Sequence, residues 1–138
     1  MDLTRRDALA LGASTFALTL LPFRASAAAD DAIATFTGGA ATTDGGVSLT
    51  TPEIAENGNT VPVSGDAPGA VAIAIFAAGN PTPEVVTAKF GPLAGSQALS
   101  TRIRLAGTQD VVAVAQMADG SFAKASTTVK VTIGGCGG

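Results

Sequence analysis

Between Val47 and Ile133 the apolar residues recur at every second position, the spacing that lines one face of a β-strand. The alternation is cleanest where Leu99, Thr101, Ile103 and Leu105 point one way and Ser100, Arg102 and Arg104 the other. It returns in the final run, where Ala123, Ala125, Thr127, Val129, Val131 and Ile133 share a face. Turn residues punctuate these runs: Asn57-Gly58-Asn59, Gly79-Asn80-Pro81-Thr82-Pro83, Gly91-Pro92 through Gly95, Gly107, and the hairpin signal Asp119-Gly120. Short strands with turns about every 8–12 residues predict an all-β chain, an immunoglobulin-like antiparallel β-sandwich over residues 47–133. An antibody-type domain is excluded, because the chain has one cysteine and no tryptophan.

Two runs carry more specific expectations. Ala70 to Phe76 is apolar on both faces, which predicts a central strand covered on two sides, as core rather than as an interface. Thr60-Val61-Pro62-Val63 reads as an edge-like strand, because proline has no N–H for a second ladder. Upstream, residues 30–46 read as a short helix and linker. Asp30 and Asp31 are placed to cap a helix over Ala32 to Phe36, which Gly38-Gly39 would stop, and Ala40 to Gly46 reads as loop. Glu53, Glu56 and Asn57 read as parts of a structural turn, and Arg102 and Arg104 as a solvated strand face.

Residues 1–29 have the plan of a cleaved export signal. Arg5 and Arg6 precede a mildly apolar run through Leu20-Leu21, and Ala25-Ser26-Ala27 supplies the small residues of a cleavage site, with cleavage expected near Ala27 or Ala29. Adjacent arginines resemble a twin-arginine signal, although Ala8 stands where an aromatic is usual. Ser14, Thr15 and Thr19 interrupt the run, which argues against a membrane anchor. From residue 30 onward five basic residues face nine acidic ones, leaving a net charge of −4. An acidic chain without histidine offers no nucleic-acid footprint, no evident metal site and no ordinary general base. No cofactor is expected. The aromatics left are Phe36, Phe76, Phe90 and Phe122, so alanine, valine and isoleucine must fill the core, and a stabilising partner chain would suit it.

The chain ends in Gly134-Gly135-Cys136-Gly137-Gly138, a glycine-rich C-terminal arm over residues 134–138 that composition makes flexible. A lone cysteine in an exported protein stays free or pairs with another molecule. Nothing near it in sequence lowers its pKa, so at a thiol pKa of about 8.5 only a few per cent is thiolate at neutral pH. Activation must come from whatever receives the arm. Three readings stay open on the residues alone: a thiol that bears cargo, an exported structural domain linked by an intermolecular disulfide, and a thiol enzyme.

The export signal, the small β domain, the Pro52-Glu53-Ile54-Ala55-Glu56-Asn57-Gly58-Asn59-Thr60-Val61-Pro62-Val63 stretch and the terminal Gly-Gly-Cys-Gly-Gly together resemble the SoxY family of sulfur carriers in bacterial thiosulfate oxidation. The resemblance implies a periplasmic carrier, not an enzyme, with an immunoglobulin-like fold and a SoxZ-like β-protein as heterodimer partner. It implies that Cys136 holds the sulfur covalently as a cysteine S-thiosulfonate, with Gly134, Gly135, Gly137 and Gly138 as the swinging arm and no catalytic residue of its own. It further implies transient docking of a haem-containing sulfur transferase, a sulfate-releasing hydrolase and, where the pathway holds one, a sulfane dehydrogenase. Neither nucleic acid nor, after signal cleavage, membrane is among the implied partners.

Overall fold

The two-residue alternation becomes two packed sheets in the computed structural model, which describes residues 23–134. The strands are β1 (Thr42–Asp44), β2 (Ser48–Thr50), β3 (Ile54–Ala55), β4 (Val61–Asp66), β5 (Ala70–Ala77), β6 (Glu84–Lys89), β7 (Ala98–Ile103), β8 (Gln109–Met117) and β9 (Phe122–Val131). One sheet runs β1-β9-β8-β5-β6 with β3 also on β9; the other runs β2-β4-β7. The main ladders are antiparallel, as expected of a sandwich: Ile75 lies opposite Ala113, and Ala113 opposite Ala125. Two short parallel pairings are added, because β1 and β3 reach the same edge of β9 while running in its direction.

Between the sheets lie Val61, Val63, Ile75, Leu105, Val111 and Val129, all essentially inaccessible to solvent. The opposite face of the larger sheet presents Ala74, Phe76, Val112, Val114 and Phe122, covered by the helix α1 (Phe23–Thr37) through Ala32, Ile33 and Phe36. That is why β5 is apolar on both sides. It is sandwiched between a sheet and a helix of the same chain, and it is core. Phe36 meets Phe76 and Phe122 edge to face, with ring centroids 6.2 and 6.0 Å apart, the arrangement that ring quadrupoles favour.

Three local expectations need correction. Thr42–Asp44, within the stretch expected to be loop, forms β1, because its backbone finds the free edge of β9 at Phe122–Lys124. The helix starts at Phe23, so Asp30 and Asp31 lie within it and cap nothing; the alanine-rich stretch before them is itself a strong helix former. Its end is where expected: Gly38 adopts a φ of +65°, and the Gly39 amide donates back to the Ala34 carbonyl at 2.9 Å, closing a Schellman-type cap. β4 is central, between β2 and β7, rather than an edge. Pro62 is tolerated because β2 stops at Thr50, opposite Ser64, so β4 has no neighbour on that side at the proline.

The β8–β9 hairpin turns at Asp119-Gly120, as the dipeptide signals. The Gly120 amide donates to the Met117 carbonyl at 3.0 Å, and the Asp119 carboxylate accepts from the Ser121 hydroxyl at 2.6 Å and the Ser121 amide at 2.9 Å. The Ser121 hydroxyl, foremost, and its amide hold the Asp119 carboxyl below the usual aspartate range. Because the folded state favours the ionised form, this turn's contribution is complete above the unfolded aspartate pKa of about 3.9 and is lost as pH falls through the lower folded value. An NMR titration of the Asp119 side chain is expected to inflect below that of a free aspartate, and Ser121→Ala should move it back up.

Candidate functional site: the root of the C-terminal arm

Gly134 is the last residue described; Gly135, Cys136, Gly137 and Gly138 lie outside the described residues, as do Arg5 and Arg6. What the structure does place is the base from which the cysteine-bearing arm departs. β9 delivers the chain to that point, and the Glu53–Gly58 segment runs alongside it in parallel. The Lys130 amide donates to the Glu53 carbonyl at 2.9 Å, the Thr132 amide to the Ala55 carbonyl at 3.1 Å, and the Gly58 amide to the Ile133 carbonyl at 2.7 Å. The Thr132 hydroxyl adds a bond to the Glu56 carbonyl at 2.9 Å. Among the described residues, the last carbonyl held is that of Ile133. Three residues of extended chain at 3.3–3.6 Å each put Cys136 within roughly 10 Å of it.

Glu53, Glu56 and Asn57 are exposed, but only Glu56 and Asn57 lead into a turn; Glu53 precedes β3, a strand within the stretch expected to be turn. Asn57 accepts the Asn59 amide on its side-chain oxygen at 2.9 Å, an Asx-type turn that shapes the chain at Gly58. So this stretch, one of the motifs of the family resemblance, does its work next to the arm. Ile54 and Ile133 are 56% and 65% exposed here. Arg102 and Arg104 are solvent-facing on and just beyond β7.

Sequence reasoning missed a second set of bonds behind this root. Gln109, buried at the start of β8, donates from Nε2 to the Asn80 side-chain oxygen at 2.9 Å and to the Gly107 carbonyl at 3.1 Å, and accepts the Gly79 amide at 2.8 Å. Asn80 in turn accepts the Ala106 amide at 2.9 Å and donates to the Arg104 carbonyl at 2.8 Å. A Cβ at Gly79 would sit 3.0 Å from that of Gln109, which explains the glycine. These bonds fix the Arg104–Thr108 loop, which reaches the arm root twice. The Leu105 amide donates to the Gly58 carbonyl at 2.8 Å, and the Thr108 hydroxyl accepts the Val131 amide at 3.0 Å. A polar residue opening an otherwise apolar strand was the signal available, and a glutamine there is easily taken for surface.

Among the described residues no three His, Cys, Asp or Glu side chains come together as a metal cage, and no helix is long and apolar enough to cross a membrane. What the described residues show is a hydrogen-bonded root, with the one thiol of the chain a few residues beyond.

Comparison with known proteins gives a family and a fold. The family model for the sulfur oxidation protein SoxY matches residues 33–136, a span that includes the cysteine. The solved structure of the sulfur carrier protein SoxY from Chlorobium limicola f thiosulfatophilum is similar at a TM-score of 0.66 and 38% identity, over 75% of this chain and 96% of that one. A superoxide reductase (neelaredoxin) from Ignicoccus hospitalis is similar at a TM-score of 0.55 and 14% identity, over 63% of this chain and 80% of that one, a likeness of fold alone. The same holds for a hypothetical protein from Pyrococcus horikoshii, at a TM-score of 0.53 and 10% identity, over 64% of this chain and 96% of that one. No match is found among curated protein sequences.

Proposed function

The chain belongs to the SoxY family of sulfur oxidation proteins, and from that premise we propose that it is a periplasmic carrier that holds thiosulfate-derived sulfur covalently on Cys136. The observation that supports this most is the junction itself. The chain is held up to the Ile133 carbonyl, and the sole thiol follows three residues later on a backbone of glycines. Glycine carries no side chain, so such an arm can enter a narrow active-site channel, and an unactivated thiol is chemically idle until an enzyme takes it up.

In this reading the thiol and thiosulfate are joined by a new sulfur–sulfur bond. Two electrons pass to a haem-containing transferase and the thiol proton is released, leaving a cysteine S-thiosulfonate. Water then cleaves the bond between the sulfane and sulfonate sulfurs on a hydrolase, which frees sulfate and two protons and leaves a persulfide anion on Cys136. A sulfane dehydrogenase, where present, oxidises what remains. The chain contributes no catalytic group, cofactor or metal; Gly134, Gly135, Gly137 and Gly138 give the arm its slenderness. A SoxZ-like β-protein is its stable partner. Export through a twin-arginine-type signal at Arg5 and Arg6 places it in the periplasm.

Mass spectrometry of protein taken from cells oxidising thiosulfate tests this. Adducts corresponding to added sulfane sulfur and to added thiosulfate are expected on the peptide that carries Cys136. Finding only the free thiol in such cells would overturn the reading.

A further inference from the structure

Resting on the carrier reading, we propose that the bonds around Val131–Ile133 are a collar that sets the reach of the arm, and that Thr108 and Thr132 are positioning residues for sulfur transfer. Two loops converge on these three residues, and a third braces one of those loops. Ala55, Glu56 and Gly58 hold Thr132 and Ile133 from one side. Thr108 brackets Val131 from the other, its hydroxyl accepting the Val131 amide at 3.0 Å and turned toward the Val131 carbonyl at 3.4 Å. The Gly79–Asn80 loop, through Gln109, fixes the loop that carries Thr108. The two loops that grip the arm are also tied to one another, through the Leu105 amide and the Gly58 carbonyl at 2.8 Å.

Such an arrangement exceeds what a strand end needs. The last residues of a strand ordinarily fray, because they make few contacts. Here the final three residues before the glycines are held by backbone and hydroxyl bonds although Thr132 and Ile133 are solvent-exposed and bury little apolar area. What the collar achieves is a short tether. With it, three residues separate the Ile133 carbonyl, the last one held among the described residues, from Cys136. Released back to Lys130, the tether would be six residues long. For an enzyme docked on the body of the carrier, the effective concentration of a tethered group falls roughly as the −3/2 power of tether length, so doubling the length dilutes the thiol about threefold.

Thr108→Val with Thr132→Val removes both hydroxyls at nearly constant shape, at exposed positions where the fold is not at stake. In the intact carrier, exchange of the Gly58 amide hydrogen is expected to quicken by about tenfold or more. The carrier concentration that half-saturates transferase-dependent sulfur loading should rise, by up to about threefold to the extent that the backbone bonds of Thr132 and Ile133 open with the hydroxyls gone. Turnover at saturation should stay the same, as should the rate at which iodoacetamide alkylates Cys136, since the thiol itself is untouched. Thr108→Ser with Thr132→Ser, which keeps the hydroxyls, should restore the wild-type values. An unchanged half-saturation, or an unchanged Gly58 exchange rate, overturns the collar. Wild-type protein that takes up no sulfur would instead overturn the carrier reading, and the exchange measurement tests the collar without depending on sulfur uptake.

Discussion

Cys136→Ser is expected to reduce covalent sulfur loading to background while leaving the fold intact. The chain has one cysteine, so no second thiol can take over. A serine hydroxyl is bound to carbon through oxygen and cannot form the sulfur–sulfur bond on which the cargo depends. The three apolar clusters that hold the domain together draw on residues between Ala32 and Val131, upstream of the arm. The change in stability should stay within about 0.5 kcal/mol, as for a surface substitution. Two measurements together decide the matter: thermal unfolding, expected to be unchanged, and thiosulfate-dependent activity of the reconstituted pathway, expected to be lost. The competing reading, in which the cysteine only links two molecules, predicts a different pair of results. It predicts that the serine variant loses a disulfide dimer on a non-reducing gel yet supports full activity. That second outcome would end the carrier interpretation.

The same substitution also separates the arm from its root. Cys136→Ser removes the chemistry and keeps the collar, whereas the threonine variants weaken the collar and keep the chemistry. A carrier in which both lowered activity through the same parameter would not be built as described. The serine variant should fail at any concentration, and the valine variants should recover at high concentration.

How far the residues alone reveal this design depends on the range of the interactions. β5, β8 and β9 were legible because their side chains answer to burial, and burial writes a period of two, or an unbroken apolar run, into the sequence. The packed part of α1 was legible for a similar reason: Ala32, Ile33 and Phe36 share a face, and Gly38-Gly39 ends it. Its upstream extent was not, because an alanine run reads equally as the end of an export signal. The thiol was legible because it is single. Its root was not. β3 is two residues long, its pairing with β9 is made by backbone groups that every residue possesses, and its partner lies more than seventy positions away. Asn80 and Gln109 share the same difficulty, since a glutamine bonded to a distant asparagine leaves no local pattern.

Phe76→Ala is expected to be the most destabilising single truncation, costing about 3–5 kcal/mol, because it empties the largest fully buried side chain in the domain. The cavity cannot collapse easily. Phe76 shares its face with Ala74 beneath the helix, its strand is fixed by β8 on one side and β6 on the other, and Phe36 rests edge-on against its ring. At about 4 °C or more per kcal/mol for a domain of this size, the midpoint of thermal unfolding should fall by at least about 12 °C. Phe36→Ala removes the other half of the contact from a half-exposed position and should cost less, about 2 kcal/mol, since part of its ring already meets water. The double variant should cost less than the two single values added, because both singles break the same ring contact. The side chains that cover Phe76 lie at Ala32, Ile33 and Phe36, downstream of the expected cleavage near Ala27 or Ala29. The Phe76→Ala penalty should therefore be nearly the same in a chain beginning at Asp30 as in the full-length chain. A penalty below about 1 kcal/mol in either would show that the helix does not close this face, and would leave the double-sided apolar character of β5 for another molecule to cover.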